Sequence, residues 1–246
     1  MSYKLSNHKK AFKKEARILN DMSKTNKYPK IAIDGPAGAG KSTVTREVSR
    51  RLELKHLDTG AMYRAIALKF YREKADLTDL GALEEIVKRT SIEFGDKQKV
   101  FLDEEDVTEE IRQAHINEMV STVSAVSLVR AHLVELQKKI AGESKGIVME
   151  GRDIGSRVMP DADFKFYLDA SIDERTRRRR IEQEEKGLSL TEEEVIAEIK
   201  NRDNIDSMRK DSPLTRVDDA ILIDTTGMTF EEVVDSIEET VTRRLR

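Results

Sequence analysis

Hydrophobic positions in this chain come in two forms, short continuous runs and longer helical stripes. Ile31-Ala32-Ile33 ends at Asp34 and has the length of a buried strand. Val44 to Leu52 reads as a helix. Leu54 to Asp58 reads as a second strand, and a further helix runs from the Asp58-Thr59-Gly60 turn to about Lys74. Ser91–Gly95 and Lys99–Asp103 alternate apolar and polar residues around Asp96-Lys97-Gln98, which predicts a β-hairpin with one covered face. Helical patterns surround the hairpin at Leu80–Arg89, Thr108–Arg112 and Ile116–Val126. This small α+β stretch lies between two α/β segments, as an insertion would.

Ser127 to Gly142 carries Leu128, Leu133, Leu136 and Ile140 as a buried helical stripe. Gly146 to Glu150 and Asp163 to Asp169 are strands of the buried type. Three Ser/Thr-x-x-Glu patterns then mark helix starts: Ser171 with Glu174, Thr191 with Glu194, and Thr229 with Glu232. The Thr191 helix is expected to reach about Ser207. A last strand at Ala220–Asp224 precedes the final helix, which buries Val233, Ile237 and Val241.

The first strand leads into Gly35-Pro36-Ala37-Gly38-Ala39-Gly40-Lys41-Ser42-Thr43. This is the phosphate-loop spacing, in the strand–loop–helix context that it requires. Glycines let backbone N–H groups curl round an anion, and the following helix adds its positive end. Lys41 can reach the β- and γ-phosphates of a nucleoside triphosphate, and the Ser42 hydroxyl can hold Mg²⁺.

Composition changes the picture only at the N-terminus. In the 246 residues, 38% are apolar and 37% charged, there is no cysteine, and the net charge is −3. Disulfides and thiolate metal sites are therefore excluded. No apolar run approaches the roughly 20 residues of a membrane span, and the start holds no secretory h-region. A cytoplasmic protein is expected. Up to Lys30, nine Lys and Arg residues face only Glu15 and Asp21. Phe12, Ala16 and Leu19 make a thin stripe on a helix from about His8 to Met22. This basic extension, residues 1–29, reads either as a loosely ordered tail or as an arm for nucleic acid or a membrane surface.

Charged clusters further on extend the candidate chemistry. Arg64 sits about one turn into the helix after Asp58-Thr59-Gly60. Glu150-Gly151-Arg152-Asp153 lies at the carboxyl end of a strand, where open α/β sheets bind ligands. Arg177 to Arg180 are consecutive and point all round their helix, so they contact either glutamates, phosphate or a partner. Arg202, Asp206 and Arg209 recur at i, i+4, i+7 and share a helix face, as a ladder of ion pairs or as a ligand site.

Taken with Asp58-Thr59-Gly60-Ala61-Met62-Tyr63-Arg64, Glu150-Gly151-Arg152-Asp153-Ile154-Gly155 and Arg202-Asp203 through Asp206-Ser207 to Ser212-Pro213-Leu214, the phosphate loop resembles that of the bacterial cytidylate kinase family. The resemblance runs from about Lys30 to the end. It implies an α/β fold with a P-loop parallel sheet of about five strands flanked by helices. The core would be residues 30–81 and 130–246, with a monophosphate-binding α+β insert at 82–129 and a short lid at about 178–189. It implies ATP and CMP or dCMP as substrates, Mg²⁺ with the ATP, and a monomer. Lys41 and the loop from Gly35 to Thr43 would bind ATP. Arg64, Arg152, Arg202 and Arg209 would gather the acceptor phosphate, with Thr59 at the same edge. Ser121, Arg130 and Asp153 would read the cytosine, and Arg202 and Asp206 would also face the ribose. Glu150 receives no role.

Such a reaction needs no strong general base, because the acceptor phosphate oxygen is already ionised near neutral pH. His8, His56, His115 and His132 are scattered and read as structural. Two other readings stay open. One is a kinase for another small acceptor. The other is a nucleotide-gated nucleic-acid-binding protein acting through the basic arm.

Overall fold

The structure is a computed structural model that describes residues 28–185, 187 and 190–245. The expected helix over His8–Met22 lies outside them, as do residues 186, 188 and 189 of the expected lid.

Five strands build the main sheet: β1 (Lys30–Asp34), β2 (Lys55–Asp58), β6 (Ile147–Gly151), β7 (Phe164–Asp169) and β8 (Ile221–Asp224). Their order is β2-β6-β1-β7-β8 and every pairing is parallel. β1 lies at the centre, where Ile31 pairs with Val148 on one side and Phe164 on the other. A parallel sheet needs both faces covered, which is why its strands read as apolar runs. Ile31, Ile33, Val148 and Phe166 point into one apolar cluster, covered by α1 (Lys41–Arg51) and α8 (Phe230–Arg244). Ala32, Leu57, Ile147 and Met149 point into the other. The alternation along β1 and β6 is the two-residue period of a strand.

The second cluster is covered by α2 (Thr59–Arg72), α3 (Leu80–Arg89), α4 (Ala114–Ala125) and α5 (Ser127–Glu143). It continues without a break into the small sheet of β3 (Ile92–Phe94), β4 (Val100–Leu102) and β5 (Glu105–Asp106), through Ile92, Val100 and Leu102. The stretch expected as an insertion therefore shares its core with one face of the main sheet. α4 and α5 meet at 93°, bent at the extended residue Val126. Among the described residues no single helix is long and apolar enough to cross a membrane.

The hairpin forms where the alternation predicts it, with shorter strands. β5 went unforeseen because both its residues are exposed and carry no apolar signal. Thr108–Arg112 closes only a 3-10 turn, Glu110–Arg112. α1 begins three residues before the apolar stripe does, because the phosphate loop feeds it directly at Gly40. Two further helices, α6 (Ile172–Glu185) and α7 (Glu192–Met208), pack against each other beside the loop. Thr191 and Glu194 close a reciprocal cap at the start of α7, as do Thr229 and Glu232 at the start of α8. The arginine run is largely an ion-pair network: Arg177 and Arg178 bond Glu174, Arg179 bonds Glu182 and Glu198, and Arg180 bonds Glu192.

Candidate active site

The carboxyl ends of β1, β2 and β6 open onto a cavity of about 620 Å³, walled by α4, α6 and α7 on the other sides. Its size is that of a small-ligand site. At its floor the chain leaves β1 through Gly35, whose φ is +150°. A Cβ there would stand 2.0 Å from the Leu168 carbonyl oxygen, so no side chain fits. Lys41 is buried at the start of α1, and its Nζ donates to the Pro36 carbonyl at 2.7 Å. Burial, followed by the nearby Arg152, holds its pKa well below the ordinary lysine value.

Ser42 Oγ donates to Glu150 Oε2 at 2.7 Å, and Glu150 Oε1 lies 3.2 Å from His56 Nε2. A hydroxyl and a carboxylate thus meet beside the loop, a pair of hard oxygen donors. Among the described residues no group of three His, Cys, Asp or Glu side chains could hold a metal by itself. Thr59 turns inward and donates to the Glu150 carbonyl at 2.7 Å. Arg64, one turn on, pairs with Asp58 at 2.7 Å, and Asp58 also accepts from the Ala61 N–H to cap α2.

After β6 the chain turns sharply through Arg152 and Asp153. Asp34 holds this turn from β1, accepting from the Ile154 and Gly155 N–H groups at 2.9 and 2.8 Å. Burial raises its carboxyl to about 6 against those two bonds. A raised carboxyl stabilises the fold fully below its unfolded value, and that contribution is lost as pH rises through about 6. The Asp34 side-chain carbon resonance is therefore expected to titrate near pH 6. A midpoint at the ordinary 3.8 would remove the burial argument.

Two ion-pair groups line the deep end. Arg130, 2% exposed, reaches Asp153 Oδ2 with Nη2 at 2.5 Å and stands 5.3 Å over the Tyr63 ring. Asp206 bridges Arg152, at 2.8 Å, and Arg209, at 3.0 Å. Burial would raise the Asp206 carboxyl, but Arg152 and Arg209 hold it below the usual range. Arg202 lines the same wall, and burial together with Arg152 brings its pKa down to about 10. Arg64 Nε, Arg130 Nε and Arg209 Nη2 are buried without a hydrogen-bond partner among the described residues. A site with crowded cations and idle donors is suited to a highly charged anion.

The sequence-derived residues Lys41, Ser42, Arg64, Ser121, Arg130, Arg152, Asp153, Arg202, Asp206 and Arg209 all border this one cavity. Sequence reasoning missed Asp34 and Arg112, and it left Glu150 without a role. Glu150 carried a usable signal, as an acid ending a strand beside the loop strand. Arg112 lies in the 3-10 turn and borders the cavity near Asp58, with no signal in its local sequence.

A phosphate loop at the centre of a 2-6-1-7-8 parallel sheet, facing an arginine-lined cavity, defines a P-loop kinase-type phosphotransferase. The family model described as "Cytidylate kinase" matches residues 31–243. Similar proteins carry the same name: one from Caldanaerobacter subterraneus subsp. tengcongensis is 52% identical over 217 residues, 88% of this chain and 96% of that relative. One from Bacillus subtilis is 47% identical over 219 residues, 88% of this chain and 97% of its own. The chain belongs to the cytidylate kinase family. A solved structure of an uncharacterized protein from Eubacterium ventriosum shares the fold, with a TM-score of 0.51 at 15% identity over 88% of this chain and 99% of that one.

Proposed function

We propose that the protein transfers the γ-phosphoryl group of ATP to CMP or dCMP, giving ADP and CDP or dCDP. The observation that carries this reading is the single cavity that joins Lys41 to Arg152, Arg202 and Arg209, with the Arg130–Asp153 pair at its deep end. An oxygen of the acceptor phosphate attacks the γ-phosphorus, and the bond from that phosphorus to the β-bridging oxygen breaks. The attacking oxygen is already ionised, so no residue has to take a proton from it. The barrier is the crowding of two anions, and the arginines and Lys41 lower it by holding both in line.

Lys41 would leave the Pro36 carbonyl for the β- and γ-phosphates. Arg64, Arg152, Arg202 and Arg209 would hold the acceptor phosphate, Asp206 the ribose, and Thr59 the wall beside them. Arg130, Asp153 and Ser121 would meet the base. Cytosine offers a donor at N4, which suits a carboxylate, whereas uracil offers an oxygen there. Ser42, with Glu150 beside it, fits Mg²⁺, which takes few protein oxygens and completes its shell with phosphate and water. When bound, that ion would neutralise charge on the phosphates.

The working form is proposed to be a monomer, since the cavity joins the loop lysine and the arginines of α7 within one fold. A cysteine-free sequence is in keeping with the cytoplasm. Residues 82–129 supply Ser121 and the acceptor side of the cavity, which supports their role as a monophosphate-binding insert.

ADP release, measured by coupled assay with CMP, UMP, AMP or RNA added separately, tests the reading. CMP should accelerate it most. Acceleration by RNA alone would favour a nucleic-acid-binding role for the basic arm, and acceleration by AMP alone would favour a different small acceptor.

A further inference from the structure

The backbone of Ala37, in the middle of the phosphate loop, is gripped on both sides by side chains from outside the loop. Its N–H donates to Asp203 Oδ1 at 3.3 Å, and its carbonyl accepts from Arg175 Nη1 at 3.2 Å. The same Nη1 reaches Asp203 Oδ2 at 2.5 Å, so the three groups close a ring. Arg175 Nε also donates to the Ala170 carbonyl, just past β7, at 3.1 Å. Arg175 is 11% exposed and Asp203 23%. The next loop residue, Gly38, has φ +77°, and a Cβ there would stand 3.1 Å from the Arg175 Cβ. α6 therefore lies directly on the loop, and the contact leaves no room for a side chain.

Asp203 stands on α7 between two groups of the acceptor side. Arg202 precedes it, and Asp206, which holds Arg152 and Arg209, follows one turn on. The loop that cradles ATP phosphates and the helix that supplies acceptor arginines are thus tied together at one residue. We infer that Asp203 and Arg175 are positioning residues for phosphoryl transfer: their ring on the Ala37 backbone sets the distance between the donor loop and the arginines of α7. Neither side chain needs to touch a substrate to act this way. A shift of about 1 Å between donor and acceptor is enough to slow transfer on the order of 100-fold.

A local ion pair holding only the helices together would act differently. It would lower stability and the fraction of active protein, and leave turnover per active site unchanged. A positioning ring lowers kcat at saturating substrates and leaves CMP binding in place. Its two members also act as a unit, so their losses do not multiply.

The inference rests on the transfer reading above. The test uses D203N, R175M and the double variant of the full chain, with active sites counted by CMP binding in the absence of ATP. Expected is a fall in kcat on the order of 10- to 100-fold in each single variant. The CMP dissociation constant should stay within about twofold, and the double variant should be no slower than the worse single. Normal kcat per active site overturns the inference. So does a loss accounted for by fewer CMP-binding sites, and so do losses that multiply in the double variant. A wild type that turns over with an acceptor other than CMP would sink the acceptor assignment alone, and the same variants are then read with that acceptor, both for turnover and for counting sites.

Discussion

Lys41→Ala is expected to lower kcat for ATP and CMP by 10²–10³-fold or more, the scale of a lost electrostatic clamp, roughly 3–4 kcal/mol. CMP affinity measured without ATP should change little. The structure adds a second signature. Lys41 is a buried cation beside Arg152 and Arg202, and burial and Arg152 both disfavour its charged form. Removing it relieves that repulsion, so the melting temperature without nucleotide should hold or rise. The rise in melting temperature on adding ATP should shrink, because that shift measures binding to the folded state. Near-normal turnover would take the loop lysine out of the mechanism.

Asp153→Asn is the other change with a large expected effect. Asp153 is 3% exposed and its carboxylate neutralises the buried Arg130 guanidinium. The amide cannot do so, and a buried charge left without its partner costs roughly 3–5 kcal/mol. Part of that loss should appear as stability and part as catalysis. The CMP specificity constant should fall about 10²-fold or more, since a buried polar site loses its match. The UMP constant should fall far less, because an amide can donate to uracil O4. Equal falls for both substrates would mean that Asp153 serves folding or phosphate geometry and does not discriminate bases.

The phosphate loop was legible because its chemistry is contiguous: nine residues carry both the backbone shape and the functional groups. The main-sheet strands were legible because burial on two faces leaves unbroken apolar runs. Pairwise roles were not legible in the same way. Nothing local to Asp34 says that it will hold the Ile154 and Gly155 N–H groups, and nothing local to Asp203 points to Ala37. Asp153 was expected beside Ser121 and Arg130 at the cytosine, and only the structure shows that its carboxylate is paired with Arg130. The arginine run posed the same difficulty. Sequence supplied glutamates at suitable spacing, but only the packing of α6 on α7 shows that Glu198 and Glu192 are the partners of Arg179 and Arg180. Thr59, expected at the substrate edge, spends its hydroxyl proton on the Glu150 carbonyl.

The central place of β1 in the sheet has a consequence for how the chain is made. Ile31 needs Val148 and Phe164 as its neighbours, and both are translated long after it. On a ribosome the loop strand emerges early and must wait, apolar and unpaired, through the synthesis of everything between β2 and β6. Parallel pairing of such distant segments is slow to close. Nucleotide binding should therefore appear late in a series of stalled nascent chains, only once β7 has cleared the exit tunnel. Until then the exposed Ile31–Ile33 segment is a natural site for chaperone capture.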